Sequence, residues 1–379
     1  MQHIHAPNVV LGAGAMGTAA AYHLARRGEP VVLVEQFALG HDRGSSHGAA
    51  RIIRHSYADV RYARLMPEAF RAWRQLEADA GRNVYLRTGG ISLCPQEVDY
   101  VARVAASLDE IGVIHRRMTG AELRKALPVI QAPDDTDAVF EPDAGVLAAA
   151  RIVRTQVELA KQFGGERTVI LENHPVLRID LDADRPTLVC ETGIVTADRL
   201  IVTAGAWTQR LFPGWPVPLR ATRQQVLYFR PHNPSQFAPE NFPVFIVKGR
   251  GDLDDYYGMP VFGDLGVKIA KHGGSGTDPD NHDPVVGEAY RMTTRNFLRG
   301  YLPALADAPI EHTEVCLYNV APDEQFQLGS PPERPEIVVA SPCSGHGFKF
   351  SCLIGRVLAD LITLGATDVP IDAWRSTPV

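Results

Sequence analysis

The stretch NVVLGAGAMGTAAAYHLARRGEPVVLVEQF, which starts at Asn8, constrains the fold more than any other part of the chain. Apolar Val9 to Leu11 lead into Gly12, Gly14 and Gly17. An Ala-rich run then stops at Gly28, and Val31 to Val34 form a second apolar run ending at Glu35. That order reads as strand, glycine turn, helix and buried parallel strand, the opening of a dinucleotide-binding βαβ unit. The first glycine permits the tight turn, the second lets the backbone approach a pyrophosphate, and the third lets helix and strand pack closely. Free N–H groups and the dipole at the helix start favour the anion. Glu35 would accept hydrogen bonds from the ribose, and a carboxylate there would repel a 2′-phosphate, which argues against NADP. Ala15, Met16 and Gln36 fall among the expected cofactor contacts. NAD and FAD share this pattern. Its place at the start of the chain, with a further strand ending in small residues (RLIVTAGAW, Arg199 to Trp207), favours FAD. Val176, Ala204, Gly205 and Trp207 are expected against the same cofactor.

With 379 residues the chain is long enough for two domains or one elaborate one. A net charge of −6 offers no general attraction to nucleic acid or to an anionic membrane. No apolar run approaches the roughly 18 residues that span a bilayer. The opening MQHIHAPNVVLGAG lacks the features of a secretory signal, and five cysteines, an odd number in a long chain, do not make a disulfide framework. A reducing cytoplasm is the expected setting.

Helical spacing of apolar residues is expected around 65–80, 96–111, 119–127, 148–163 and 288–301, and in a last helix reaching about residue 364. Short strands alternate with turns from Val169 to Val202. Further strand patterns are QQVLYFRP, PVFIVKG, YYGMPVFG, GVKIAKHG, TEVCLYNV and EIVVASP. This mixture points to an α/β Rossmann-type domain assembled from 1–84, 143–217 and 323–379. A second, α+β domain on a mostly antiparallel sheet is expected from 85–142 and 218–322.

Two polar stretches invite chemistry. GSSHGAARIIRHSY (Gly44 to Tyr57) reads as a charged turn in which Ser45 and Ser46 allow a ligand near the backbone, followed by His47, Arg51, Arg54 and His55. The planar fork of arginine suits carboxylate or phosphate, although a solvated basic loop gives the same pattern. CSGHGFKFSC sets Cys343 and Cys352 around Gly345, His346, Gly347, Phe348 and Lys349. A zinc site through Cys343, His346 and Cys352 would lack the short Cys-x2–4-Cys spacing usual for structural zinc.

GSSHGAARIIRHSY, YYGMPVFGDLGVKIAKH, TEVCLYNVAPDE and SGHGFKFS together resemble, in order and spacing, the monomeric sarcosine oxidase family, which includes N-methyltryptophan oxidase. These are FAD-dependent amine oxidases of the D-amino-acid-oxidase-like superfamily, and the similarity runs over nearly the whole chain. The resemblance implies that Cys316, by its own context a small buried hydrophobe, bonds covalently to the flavin. It also implies that Lys268 promotes reaction with O2, although an alternating strand would otherwise place it on a solvated face. Arg54 and Lys349 would clamp a substrate carboxylate. Tyr257 and His272 would contact the substrate or tune its amine, with Tyr318 and Met259 in the same pocket, and Arg51 and His47 would lie beside the flavin. Ser45, Ser46, Arg51, Gly345, His346, Gly347, Phe348 and Lys349 would also touch the cofactor. Gly345 and Gly347 would let a helix N-terminus approach it, and Cys343 and Cys352 would be packing residues.

The implied activity is oxidation of a secondary amino acid, N-methylated or cyclic. Hydride passes to flavin N5, the imine hydrolyses, and O2 reoxidises the flavin to give H2O2. A monomer with no metal is implied. The family pattern often has two adjacent histidines where Ser46 and His47 stand, and an aromatic residue in sarcosine oxidase at the place of Met259. A flexible Met admits a bulkier or cyclic side chain. Alternatives are a flavin-dependent amine dehydrogenase or a pipecolate- or proline-type oxidase, and beyond them an NAD-dependent dehydrogenase or a non-catalytic dinucleotide-binding protein.

Overall fold

The computed structural model describes residues 2–251 and 255–374. Residue 1 and residues 375–379, the ends of the expected segments, lie outside the described residues. The strand from the glycine stretch is longer than its apolar core, Gln2–Leu11, and it sits centrally in an eight-stranded sheet. It pairs in parallel with Val31–Val34 on one side and Gly193–Val202 on the other. Thr168–Leu171 extends the sheet beyond Val31–Val34, and Ile337–Ser341 joins Gly193–Val202, both in parallel. Val176–Asp180, Thr187–Cys190 and Gln327–Gly329 add antiparallel edges. Helices Ala15–Arg26, Ala149–Gly164 and Ser351–Leu364 pack together on one face, while Trp207, Phe212 and Trp215 cover the other. Burial on both faces explains why these strands read as continuous apolar runs.

A second eight-stranded sheet runs in the order Ile310–Val320, Arg220–Phe229, Val267–Lys271, Tyr256–Met259, Val244–Val247, Gly90–Pro95, Thr136–Glu141, Arg116–Thr119. Only the Val244–Val247 and Gly90–Pro95 pair is parallel. The expected α/β fold with a mostly antiparallel second sheet is therefore present. A small third sheet joins Ala50–Ile53 and Tyr85–Arg87 to Gly145–Ala148. It corrects the reading of GSSHGAARIIRHSY as a turn throughout: the ARII segment is a strand, and that pairing buries Ala50 and Ile53. Among the helices, Glu288–Tyr301 matches the periodicity residue for residue, whereas the one expected from Gln96 begins at Tyr100. The last helix starts at Ser351, after a 3₁₀ turn at Phe348–Phe350.

Helix Val60–Ala80 shows how sequence chemistry reaches the site. The Asp59 side chain accepts a hydrogen bond from Arg61 N at the start, a cap typically contributing about 1 kcal/mol, and Gly81 closes the end at φ 61°. Tyr62, Leu65, Met66, Ala69, Phe70, Trp73 and Leu76 fall at helical spacing and are buried. From that stripe Trp73 Nε1 donates to Lys349 O at 2.7 Å and fixes the last polar turn from below. No helix among the described residues is long and apolar enough to cross a membrane.

Candidate active site

A cavity of about 630 Å³ runs from the glycine turn to the inner face of the second sheet. At its first end the backbone is drawn tight. Gly12 N donates to Val34 O at 2.8 Å, and Thr203 Oγ1 donates to Leu11 O at 2.9 Å. Gly12 adopts φ 98°, and a Cβ there would fall 2.5 Å from Thr203 O. A Cβ on Gly17 would collide with Gly12 O, so helix Ala15–Arg26 crosses the strand only without side chains at these positions. Glu35 is buried, and its carboxylate accepts from Ala13 N at 2.8 Å and Phe37 N at 3.0 Å. Ala13, Ala15, Met16 and Gln36 continue this wall, with Val176, Ala204, Gly205 and Trp207 opposite. Ser46 Oγ accepts from Ala15 N at 2.9 Å, and Ser45 Oγ donates to Leu317 O, so the Gly44–His47 turn ties the first sheet to the second.

At the other end the second sheet presents one pleated face. Its register sets Lys268 opposite both Tyr228 and Met259, Tyr257 opposite Ala270, Glu314 opposite Val226 and Cys316 opposite Gln224. With side chains alternating, Glu314, Cys316 and Tyr318 share that face with Tyr228, Lys268, Tyr257 and Met259. The opposite face packs Leu227, Phe229, Val267 and Ile269 in a separate apolar core, so neither face is solvated. Lys268 is accordingly 3% exposed, and its Nζ donates to Ala50 O at 3.1 Å. Burial, then the Arg51 charge, pulls Lys268 down to about 8, against an opposing pull from Glu314. Burial pushes the Cys316 thiol up, while Arg51 and Lys268 draw it back. Arg51 itself is half-buried on the cavity wall and donates to Ala50 O, Ser45 O and His47 O at 2.8–2.9 Å. His47 Nε2 is buried without a hydrogen-bond partner among the described residues, and burial followed by Arg51 lowers its pKa to about 4.

Above this face stand two further cations. Lys349 is 6% exposed; its Nζ donates to Tyr57 OH at 2.8 Å and to His346 O at 2.7 Å. The Arg54 guanidinium lies 4.4 Å from the centre of the Tyr57 ring, and its Nη1 is buried without a partner among the described residues. Burial, then Arg54, pulls the Lys349 ammonium well below its usual range. Two desolvated cations around one phenol make a site that an anion would complete. His272 and Tyr318 line the same space, with ring centres 5.8 Å apart. Burial lowers the pKa of His272 and raises that of Tyr257 to about 12. Gly345, at φ 80°, passes between them: a Cβ there would lie 2.5 Å from both His272 Cε1 and Tyr318 Cε2. A Cβ on Gly347 would meet Pro342 O. His346 stacks on Phe326 and holds Tyr57 OH at 3.1 Å through Nδ1.

The structure thus brings nearly all the expected residues around one cavity. Gly17, Lys268 and Cys316 are the exceptions, since they sit behind its lining. Cys352 packs in the core beside His23 and Ala72, but Cys343 is half-buried on the cavity wall and is not packed away as expected. Among the described residues no three His, Cys, Asp or Glu side chains are grouped to hold a metal ion. Tyr57 and Glu314 escaped the sequence reading. Tyr57 closes the quoted GSSHGAARIIRHSY stretch, and Glu314 lies two residues before Cys316, on the same strand face.

The residues fit FAD. A glycine turn at Gly12 and Gly14, a fixed carboxylate at Glu35, and the partnerless buried atoms His47 Nε2 and Arg54 Nη1 line one continuous space. Comparisons agree with that geometry. The chain is 34% identical over 377 residues to the monomeric sarcosine oxidase of Bacillus sp. (strain B-0618), covering 98% of this chain and 95% of that protein. It is 31% identical over 356 residues to the N-methyl-L-tryptophan oxidase of Yersinia pestis (strain Pestoides F), covering 93% of each. Among solved structures, NikD, an unusual amino acid oxidase essential for nikkomycin biosynthesis, superposes with a TM-score of 0.85 at 22% identity over 99% of this chain and 98% of that one. The profile of the FAD dependent oxidoreductase family matches residues 8–361, and with relatives this close over nearly its whole length the chain belongs to that family.

Proposed function

We propose that this chain oxidises secondary amino acids at a carbon next to nitrogen, as a sarcosine oxidase-like enzyme. The observation that carries the reading is the pair of cations, half-buried Arg54 and buried Lys349, arranged around Tyr57 on the cavity that Tyr257 and His272 also line, with Lys268 behind its wall. FAD, when bound, supplies the two-electron acceptor. Gly12, Gly14, Gly17 and Glu35 would hold its dinucleotide part, with Ser45, Ser46 and Arg51 nearer the flavin ring, and Cys316 is the candidate for a covalent link.

Arg54 and Lys349 bind the substrate carboxylate and so fix which carbon faces the ring. The clamp favours a substrate whose amine is uncharged, because the neighbouring cations repel an ammonium. A neutral His272 leaves that uncharged amine a hydrogen-bonding neighbour without adding a third charge. Tyr257, Tyr318 and Met259 wall the side-chain space and exclude water. Lys268 supplies a fixed cation where negative charge develops during reaction with O2, whose product is H2O2.

The division of strands supports the two-domain reading: every strand of the first sheet comes from 1–84, 143–217 or 323–379, and every strand of the second from 85–142 or 218–322. We read the protein as a cytoplasmic monomer. The test is a screen of sarcosine, other N-methyl amino acids, proline and pipecolate for H2O2 production. Peroxide from at least one is expected; reduction of an artificial dye without peroxide would make the chain a dehydrogenase, and silence with all of them would defeat the reading.

A further inference from the structure

Arg51 on the cavity wall and Lys268 just behind it place two positive charges close together. Like charges so placed favour loss of the lysine proton, and burial favours it further. One carboxylate faces them. Glu314 projects from the Ile310–Val320 strand on the face it shares with Cys316. It is held there rather than free to swing. Tyr228 OH donates to Glu314 Oε2 at 3.0 Å, and His312 Nε2 lies 3.6 Å from Oε1. Gly48 presses on the carboxylate, since a Cβ at that glycine would fall 2.7 Å from Oε2 and 3.0 Å from Oε1. The same Tyr228 ring carries Lys268 Nζ at 5.6 Å from its centre, so one tyrosine spans the acid and the lysine.

We infer that Glu314 is a positioning residue that keeps Lys268 charged from behind the cavity, with Tyr228 and Gly48 fixing the carboxylate. The groups facing Lys268 are Arg51, the Ala50 carbonyl and the neutral His47 from one side, Tyr228 and the uncharged Met259 from the two neighbouring strands, and Glu314 and Cys316 from the strand beyond Tyr228. Of these only Glu314 favours the cation while carrying its own negative charge at neutral pH. It remains ionised because Lys268, Arg51 and the Tyr228 hydroxyl together outweigh its burial. This rests on the reading that Lys268 serves the reaction with O2.

The experiment separates the two half-reactions of the holoenzyme. Glu314→Gln preserves shape and removes charge. Anaerobic reduction by a turned-over N-methyl amino acid is expected to be unchanged. The alkaline limb of the O2 reoxidation profile is expected to move to lower pH, making reoxidation about tenfold slower on that side for a shift of one pKa unit. Tyr228→Phe, which frees the carboxylate without removing it, should move the limb in the same direction and serves if the first variant does not fold. An unshifted limb in these variants, with Lys268→Met slowing reoxidation, overturns the inference alone. If Lys268→Met leaves reoxidation unaltered, the reading of Lys268 fails and the inference falls with it.

Discussion

Cys316 sits at 6% exposure on the strand face that carries Glu314 and Tyr318. Its surroundings oppose one another: burial resists the thiolate, and Arg51 and Lys268 favour it. A buried cysteine flanked by two fixed cations suits attachment of an electron-poor ring better than ordinary packing. Acid precipitation of the wild-type holoenzyme is expected to leave the yellow colour in the pellet, whereas Cys316→Ser should release it to the supernatant. Wild-type colour in the supernatant would refute the link. Single residues were unevenly legible. Gly12, Gly14, Gly17 and Glu35 announce themselves because their task is local, within one βαβ unit. Arg54 and Lys349 stand almost three hundred positions apart in sequence, and only the fold sets them around Tyr57. Lys268 shows the hazard of reading alternation alone: the pattern is that of a solvated face, yet Tyr228 and the Ala50–Ile53 strand of the third sheet cover it.

At the scale of elements, the turn between Ile337–Ser341 and Ser351–Leu364 is the most constrained piece of the site. Gly345 needs positive φ and also leaves room for His272 and Tyr318. Gly345→Ala combines strain of about 1–3 kcal/mol with displacement of the His272 and Tyr318 rings. A misplacement near 1 Å costs about 100-fold in rate, so kcat/KM should fall on that order while flavin content stays near normal. Unchanged kinetics would show that the turn tolerates a Cβ. Strand and helix positions were largely readable from apolar period. The Ala50–Ile53 strand was not, because it shows no alternation, with Ala50 and Ile53 buried and Arg51 and Ile52 on the cavity, and its partner, Gly145–Ala148, lies far along the chain.

For the molecule as a whole, acid should be damaging. Burial holds His23 and His346 down to about 3 and His47 to about 4, so the folded chain keeps all three neutral. The unfolded chain takes up those protons as pH falls through about 6.5, so stability declines from there downward. Glu141 acts with the same sign: despite its burial, hydrogen bonds from His55 and Ser56 hold its carboxyl below the usual range, and that contribution is lost on acidification. The Tm of the holoenzyme should therefore fall steadily below about pH 6.5, and a flat Tm into the acid range would contradict the burial of these groups. What most directly tests the central claim is anaerobic titration of the bound flavin, followed by its visible absorbance, with an N-methyl amino acid and with the matching amine that lacks the carboxylate. The two-cation clamp predicts bleaching by the amino acid at far lower concentration than by the amine. Equal bleaching by both, or none by any secondary amino acid, would contradict it.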